Sequence, residues 1–238
     1  MSLFLGAFGL MLAGDAQADR LEELLSRAYD GDSHAMYQLS LALQDRATTS
    51  SEPSAQHLAD AFGWVYIAAR NGHRRAMLAV GRHYLNSEHP AQTAHKAEIW
   101  FKRALQAGMS EANYELARLY GTDDLPTFDQ MAADLFFQKA LAAQDPRACL
   151  SQAKTALLPE QNARFHYSDR QARTLITYLE CAAQPGEEYS PDAELLIRLS
   201  ELYDGLGTLD GDINAQLWRQ AAHQLSLLSS AQHSDGSD

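Results

Sequence analysis

The chain has 238 residues, 46% hydrophobic and 21% charged, a composition that excludes both a disordered and a membrane-spanning protein. Its 31 acids against 19 bases leave a formal charge of −12. That balance argues against nucleic acid as a partner, because duplex affinity comes largely from Lys and Arg neutralising phosphates.

The apolar run from Leu3 to Gly14 is too short to cross a bilayer as a helix. Ala16-Gln17-Ala18 then supplies the small-x-small pattern of a signal-peptidase site. The segment resembles a secretory signal, with a mature chain starting near Asp19 and a bacterial periplasmic location as the consequence. No Lys or Arg stands in the first 19 residues, and the competing expectation is an extra hydrophobic helix in a cytoplasmic protein. The expected organisation is a signal peptide over 1–18, one helical array over 19–230 and a mobile tail over 231–238.

After Asp19 the chain repeats itself. Ala28, Gly31, Ala35 and Leu39 mark a degenerate first copy, followed by the polar, Pro-containing stretch 45–56, which reads as a loop. The second copy has Ala61, Trp64, Val65, Ala68, Ala69 and Gly72, then Ala76, Val80, Gly81 and Tyr84. In the third, Ala97, Trp100, Phe101, Ala104 and Leu105 fall at i, i+3, i+4, i+7 and i+8, one face of a helix, and Gly108 ends it. Ala112, Leu116, Ala117, Leu119 and Tyr120 then begin a second helix after a tight turn. The fourth copy has Ala133, Phe136, Phe137, Ala140 and Leu141, then Ala148, Gln152, Ala153 and Ala156. An insertion at 159–171 carries Phe165 and Tyr167. A fifth copy has Tyr178, Leu179, Ala182 and Gly186, then Leu195, Leu199 and Tyr203, and Ala215, Trp218 and Ala222 form a closing helix.

Small residues at both ends of each apolar face let two backbones approach, and the aromatic between them fills the remaining space. Asp145-Pro146 and Ser190-Pro191 each place a capping side chain before a Pro at the first helical position. A helix-pair period of 34 to 40 residues predicts an all-α fold, a right-handed α-solenoid of five helix pairs and a C-terminal cap.

The order A-x-x-W-aromatic-x-x-A, then A-x-x-x-[LV]-[AG]-x-x-Y, resembles the Sel-one-like repeat, a relative of the tetratricopeptide repeat. The segment 202–222, with Tyr203, Gly205, Gly207, Asp212, Ala215 and Trp218, resembles that family's inter-repeat linker. The resemblance spans roughly residues 24–224. It implies a non-enzymatic adaptor, often exported in bacteria, serving envelope assembly, secretion or motility.

Chemical motifs are weak by comparison. Gly205-Leu206-Gly207 approaches a dinucleotide fingerprint but follows a helix rather than a buried strand, so it reads as linker. His73, His83, His89 and His95 do not pair at i, i+4 and read as surface residues. No Walker loop or nucleophile elbow is present, and no catalytic, cofactor or metal residues are assigned. The slot shared by Trp64, Trp100, Phe136, Tyr178 and Trp218 reads as core filling.

Cys149 opens a second helix and Cys181 closes the next first helix, so antiparallel stacking brings them level. A disulfide there would stabilise by about 3 kcal/mol in the chain-entropy model. Two separate, buried or half-buried thiols are the default reading.

First helices of such arrays commonly line the concave face. Tyr66 with Ile67, Lys102 with Arg103, and Gln138 with Lys139 then form the candidate surface for a protein or peptide segment docked in the groove, an acidic one above all. The alternative is a glycan-binding envelope protein using Tyr66, Phe165 and Tyr167.

Overall fold

The computed structural model describes residues 16–49, 55–157, 169–184, 191, 193–205 and 209–234. Among these residues the fold is all-α, with eleven helices and no strand. The chain divides into two compact units, Met1–Phe128 and Asp129–Asp238.

Unit 1 contains α1 (Ala16–Tyr29), α2 (Ser33–Thr49), α3 (Ala55–Arg70), α4 (Arg74–Leu85), α5 (Pro90–Gln106) and α6 (Ala112–Tyr120). Unit 2 contains α7 (Gln130–Ala142), α8 (Pro146–Leu157), α9 (Asp169–Ala182), α10 (Ala193–Gly205) and α11 (Leu209–Ser234). Five helix pairs and a closing helix follow in the expected order. Residues 1–15 of the proposed signal, the Ser190 cap, Phe165, Tyr167 and the last four residues lie outside the described residues. Helix α11 covers 231–234, within the expected tail.

The turns inside pairs are built alike. Met109 N–H donates to Ala104 O and Gly108 N–H to Leu105 O, each at 3.0 Å, so the last carbonyls of α5 are satisfied by a left-handed residue. Gly108 has φ 86° and Gly72 has φ 90°. One period later the same place is held by Gln144, with φ 54° and the same pair of bonds, to Leu141 O and Ala140 O at 3.0 Å. Caps restart the chain: Asp145 Oδ1 accepts from Arg147 N–H at 2.9 Å, and Asp129 accepts from Ala132 N–H at 3.0 Å.

The core of unit 1 gathers Tyr37, Leu39, Trp64, Val65, Ala68, Ala76, Val80 and Trp100. Phe101, fully buried, packs against Gly81: a Cβ there would sit 2.4 Å from its ring. Unit 2 packs Cys149, Leu175, Ile176, Leu179, Leu195, Leu199 and Ala222. The expected loop over 45–56 is shorter than read, because α2 continues to Thr49. Ala47, 1% exposed, extends the buried face of Leu39 and Leu43 by a further turn, which keeps the helix going through a polar sequence.

Candidate functional site

The three slot pairs expected to meet a partner do not behave alike. Tyr66 and Ile67 are half-buried and pack on the core of unit 1. Tyr66 and Trp100 meet in a T-shaped pair, ring centres 5.6 Å apart, and the Arg103 guanidinium lies over the Trp100 ring at 4.9 Å. Tyr66 of α3 and Arg103 of α5 are thus brought to one tryptophan. Lys102 is turned away from them: its Nζ donates to Glu98 Oε1 at 2.7 Å and sits 5.9 Å from the Tyr120 ring of α6.

Glu98 is the hub of that opposite flank. Tyr120 Oη donates to it at 2.8 Å, and His95 Nδ1 lies 3.3 Å away. Burial alone would raise its carboxyl, but the hydrogen bonds from Lys102, Tyr120 and His95 prevail and hold it below the ordinary carboxylate value. In the fifth pair Tyr203 donates likewise to Glu180, and burial with the Glu180 charge pushes that phenol up to about 12. In the second pair the corresponding slots hold Phe62 and Tyr84, which meet ring to ring at 6.1 Å.

In unit 2, Gln138 and Lys139 are exposed on α7, and the Lys139 ammonium lies 5.0 Å from the Phe136 ring centre. The slot aromatics are core or flank core: Trp64 and Trp100 are buried, and Tyr178 and Trp218 pack half-buried on unit 2's cluster.

Cys149 and Cys181 are bonded to each other, with Cα atoms 5.9 Å apart. The default of two separate thiols therefore gives way to a bridge between α8 and α9. The antiparallel run of these helices puts the start of one beside the end of the other.

Of the histidines expected at the surface, His83 is exposed and His73 half-buried, and both are engaged. His73 Nδ1 accepts from Ala76 N–H at 3.2 Å, capping α4, and its ring stacks on Tyr37 at 4.5 Å. His83 stacks on Phe62 at 3.8 Å. Among the described residues no cluster of His, Cys, Asp or Glu is arranged to hold a metal ion, and no helix is long and apolar enough to cross a membrane.

Counting slots missed three residues. Glu115, 1% exposed, is neutralised by Arg82 at 2.7 Å and Arg118 at 3.3 Å. Lys96 lies 5.5 Å from the Tyr84 ring centre, and Ile99 is 51% exposed between Lys96 and Arg103. The i, i+3, i+7 spacing of Lys96, Ile99 and Arg103 was the available signal.

No protein-family model matches the chain, and no curated protein does. Solved structures do. A Sel1 repeat protein from Oxalobacter formigenes superposes with a TM-score of 0.59 at 18% identity, covering 87% of this chain and 77% of that one. The protein c5321, described as a protective antigen of uropathogenic Escherichia coli strains displaying an SLR fold, superposes with a TM-score of 0.52 at 17% identity. That match covers 88% of this chain, which spans 45% of the antigen's length. Eleven helices among the described residues, in successive pairs, and these two superpositions give one result: the chain has the all-α helical-repeat fold of Sel1-type proteins.

Proposed function

We propose that the protein is a non-enzymatic interaction scaffold that holds another protein on the exposed faces of its first helices. The observation that carries this reading is the meeting of Tyr66, Trp100 and Arg103, where two successive first helices, α3 and α5, share one aromatic and point a cation outward. A repeat fold of this kind offers shape and a few anchors, and affinity follows from those. In unit 2, Gln138 and Lys139 on α7 are the corresponding contact residues.

The working compartment is the bacterial periplasm. A bridge between Cys149 and Cys181 supports an oxidising environment, and the small-x-small pattern at Ala16–Ala18 supports export.

Capture from an envelope extract with the purified chain tests the reading. One or a few proteins are expected to be enriched, with recovery reduced by Arg103→Glu and by Gln138→Glu with Lys139→Glu. Recovery unchanged by all of these removes the assigned faces. Retention on peptidoglycan or exopolysaccharide without a protein partner would replace the scaffold by a glycan-binding role. N-terminal sequencing of cellular protein decides the compartment, and an intact Met1 in the cytosol overturns export.

A further inference from the structure

The charge of this acidic chain is unevenly spread. Residues 61–118 hold eight Lys and Arg against four Glu, a net of +4, while the other 180 residues hold 11 bases against 27 acids, a net of −16. Three of these eight cations are paired within the fold: Arg82 and Arg118 neutralise Glu115, and Lys102 is tied to Glu98. Lys96 and Arg103 are different. Neither makes an ion pair among the described residues, and each is laid over a ring instead, Tyr84 at 5.5 Å and Trp100 at 4.9 Å.

Both project from the same flank of α5. Positions 96, 99 and 103 stand at i, i+3 and i+7, so the two cations are about 10 Å apart along the axis with Ile99 between them. Ile99 is 51% exposed, in a helix whose other large apolar residues are buried or half-buried. Glu98 and Lys102 lie on the opposite flank, beside Tyr120.

We propose that the Lys96–Ile99–Arg103 flank of α5 docks an acidic segment of a partner protein, with an apolar side chain on Ile99 and a carboxylate at each cation. The inference rests on the scaffold reading above and names the chemistry of what is held. The Trp100 ring under the exposed Arg103 guanidinium, 4.9 Å away, restrains that side chain, and a guanidinium meets a carboxylate with two parallel bonds. Less side-chain freedom is then lost on binding than from a free arginine. Carboxylates about 10 Å apart occur three residues apart in a polyproline-type strand and seven apart on a helix. Trp100 is buried, with Tyr66 packed against it and Arg103 over its ring, so sugar stacking has no open ring face at this place. The same device recurs 36 residues on, in α7: Leu135 is 54% exposed and Lys139 lies over Phe136.

Fluorescence anisotropy with the full chain and short synthetic peptides carrying Glu at every third position with Leu between tests this, with a Gln-for-Glu peptide as counterpart. The acidic peptide is expected to bind, to weaken as salt rises, and to exceed its Gln counterpart by about tenfold or more. Lys96→Gln with Arg103→Gln should lower its affinity about tenfold, and Ile99→Ser several-fold, both with unchanged far-UV circular dichroism, because these side chains are at the surface. Lys154→Gln, exposed in unit 2, should leave it as it was. No binding of the acidic peptide, equal binding of the Gln peptide, or indifference to the α5 substitutions overturns the proposal. So does uptake of polygalacturonate in preference to the peptide, which would assign the strip to an anionic glycan. A captured envelope protein whose recovery ignores Lys96→Gln with Arg103→Gln would sink this inference and leave the scaffold reading standing.

Discussion

His73 ties the start of α4 to its protonation state. Its Nδ1 accepts from Ala76 N–H, so the ring caps the helix only while that nitrogen carries no proton. Burial pushes its pKa down first, and the nearby charges of His34, Arg75 and Arg74 push the same way against a weaker pull from Asp32. His83, stacked on Phe62, is lowered by burial alone. Both are harder to protonate in the fold than in the unfolded chain, where they protonate near their ordinary value of about 6.5. Stability from them is therefore present above that value and lost as pH falls through the lower folded values. The urea midpoint is expected to drop between neutral and mildly acidic pH. His73→Asn, a cap that does not titrate, should flatten that slope while costing less than about 1 kcal/mol at neutral pH. An unchanged slope would remove His73 from the account. Gln144 carries the other residue-scale consequence. It holds a left-handed φ where the preceding copies use Gly72 and Gly108. Such a backbone costs an L-residue about 1–2 kcal/mol, partly offset by glycine's greater freedom when unfolded. Gln144→Gly is therefore expected to stabilise by about 0.5 kcal/mol, and Gly108→Gln to destabilise by about 1 kcal/mol, read from thermal unfolding.

At the scale of helices, the contact of α4 with α5 depends on one missing methyl group. Phe101 is fully buried and cannot swing away, so a Cβ at Gly81 forces the two helices apart. Gly81→Ala should destabilise by about 2 kcal/mol even though Ala is the better helix former, and Gly81→Ala with Phe101→Leu should recover part of the loss. A neutral Gly81→Ala would mean the ring relocates freely. This element was legible in the sequence, because the small slot recurs at a fixed offset from the aromatic one. The contact flank was only half legible. Lys102 and Arg103 are adjacent in sequence and look like one basic pair, yet consecutive helical positions are about 100° apart. One turns to Glu98 and the other to Trp100. Lys96 and Ile99, at the helical spacing from Arg103, were overlooked because the repeat was read slot by slot. The extension of α2 through Asp45–Thr49 was hidden by its polar composition, which a single buried Ala47 outweighs.

For the molecule as a whole, the five helix pairs among the described residues and their order follow from the repeat, since within each unit a pair hides its apolar face against its neighbours. The overall acidity was plain from composition, but a total conceals where the charge lies. The second and third copies run against it, and the anchors of the proposed partner segment stand in that stretch. The bond between Cys149 and Cys181 could be allowed from sequence and not decided, because pairing depends on how α8 and α9 run past each other. It has a further effect. The two cysteines are 32 positions apart, so the covalent link encloses the whole connection between those helices. A peptidase that severs the main chain anywhere inside this ring leaves the two pieces of the protein still joined. Such a nick would pass unseen on a non-reducing gel and appear as two fragments once the sulfurs are parted.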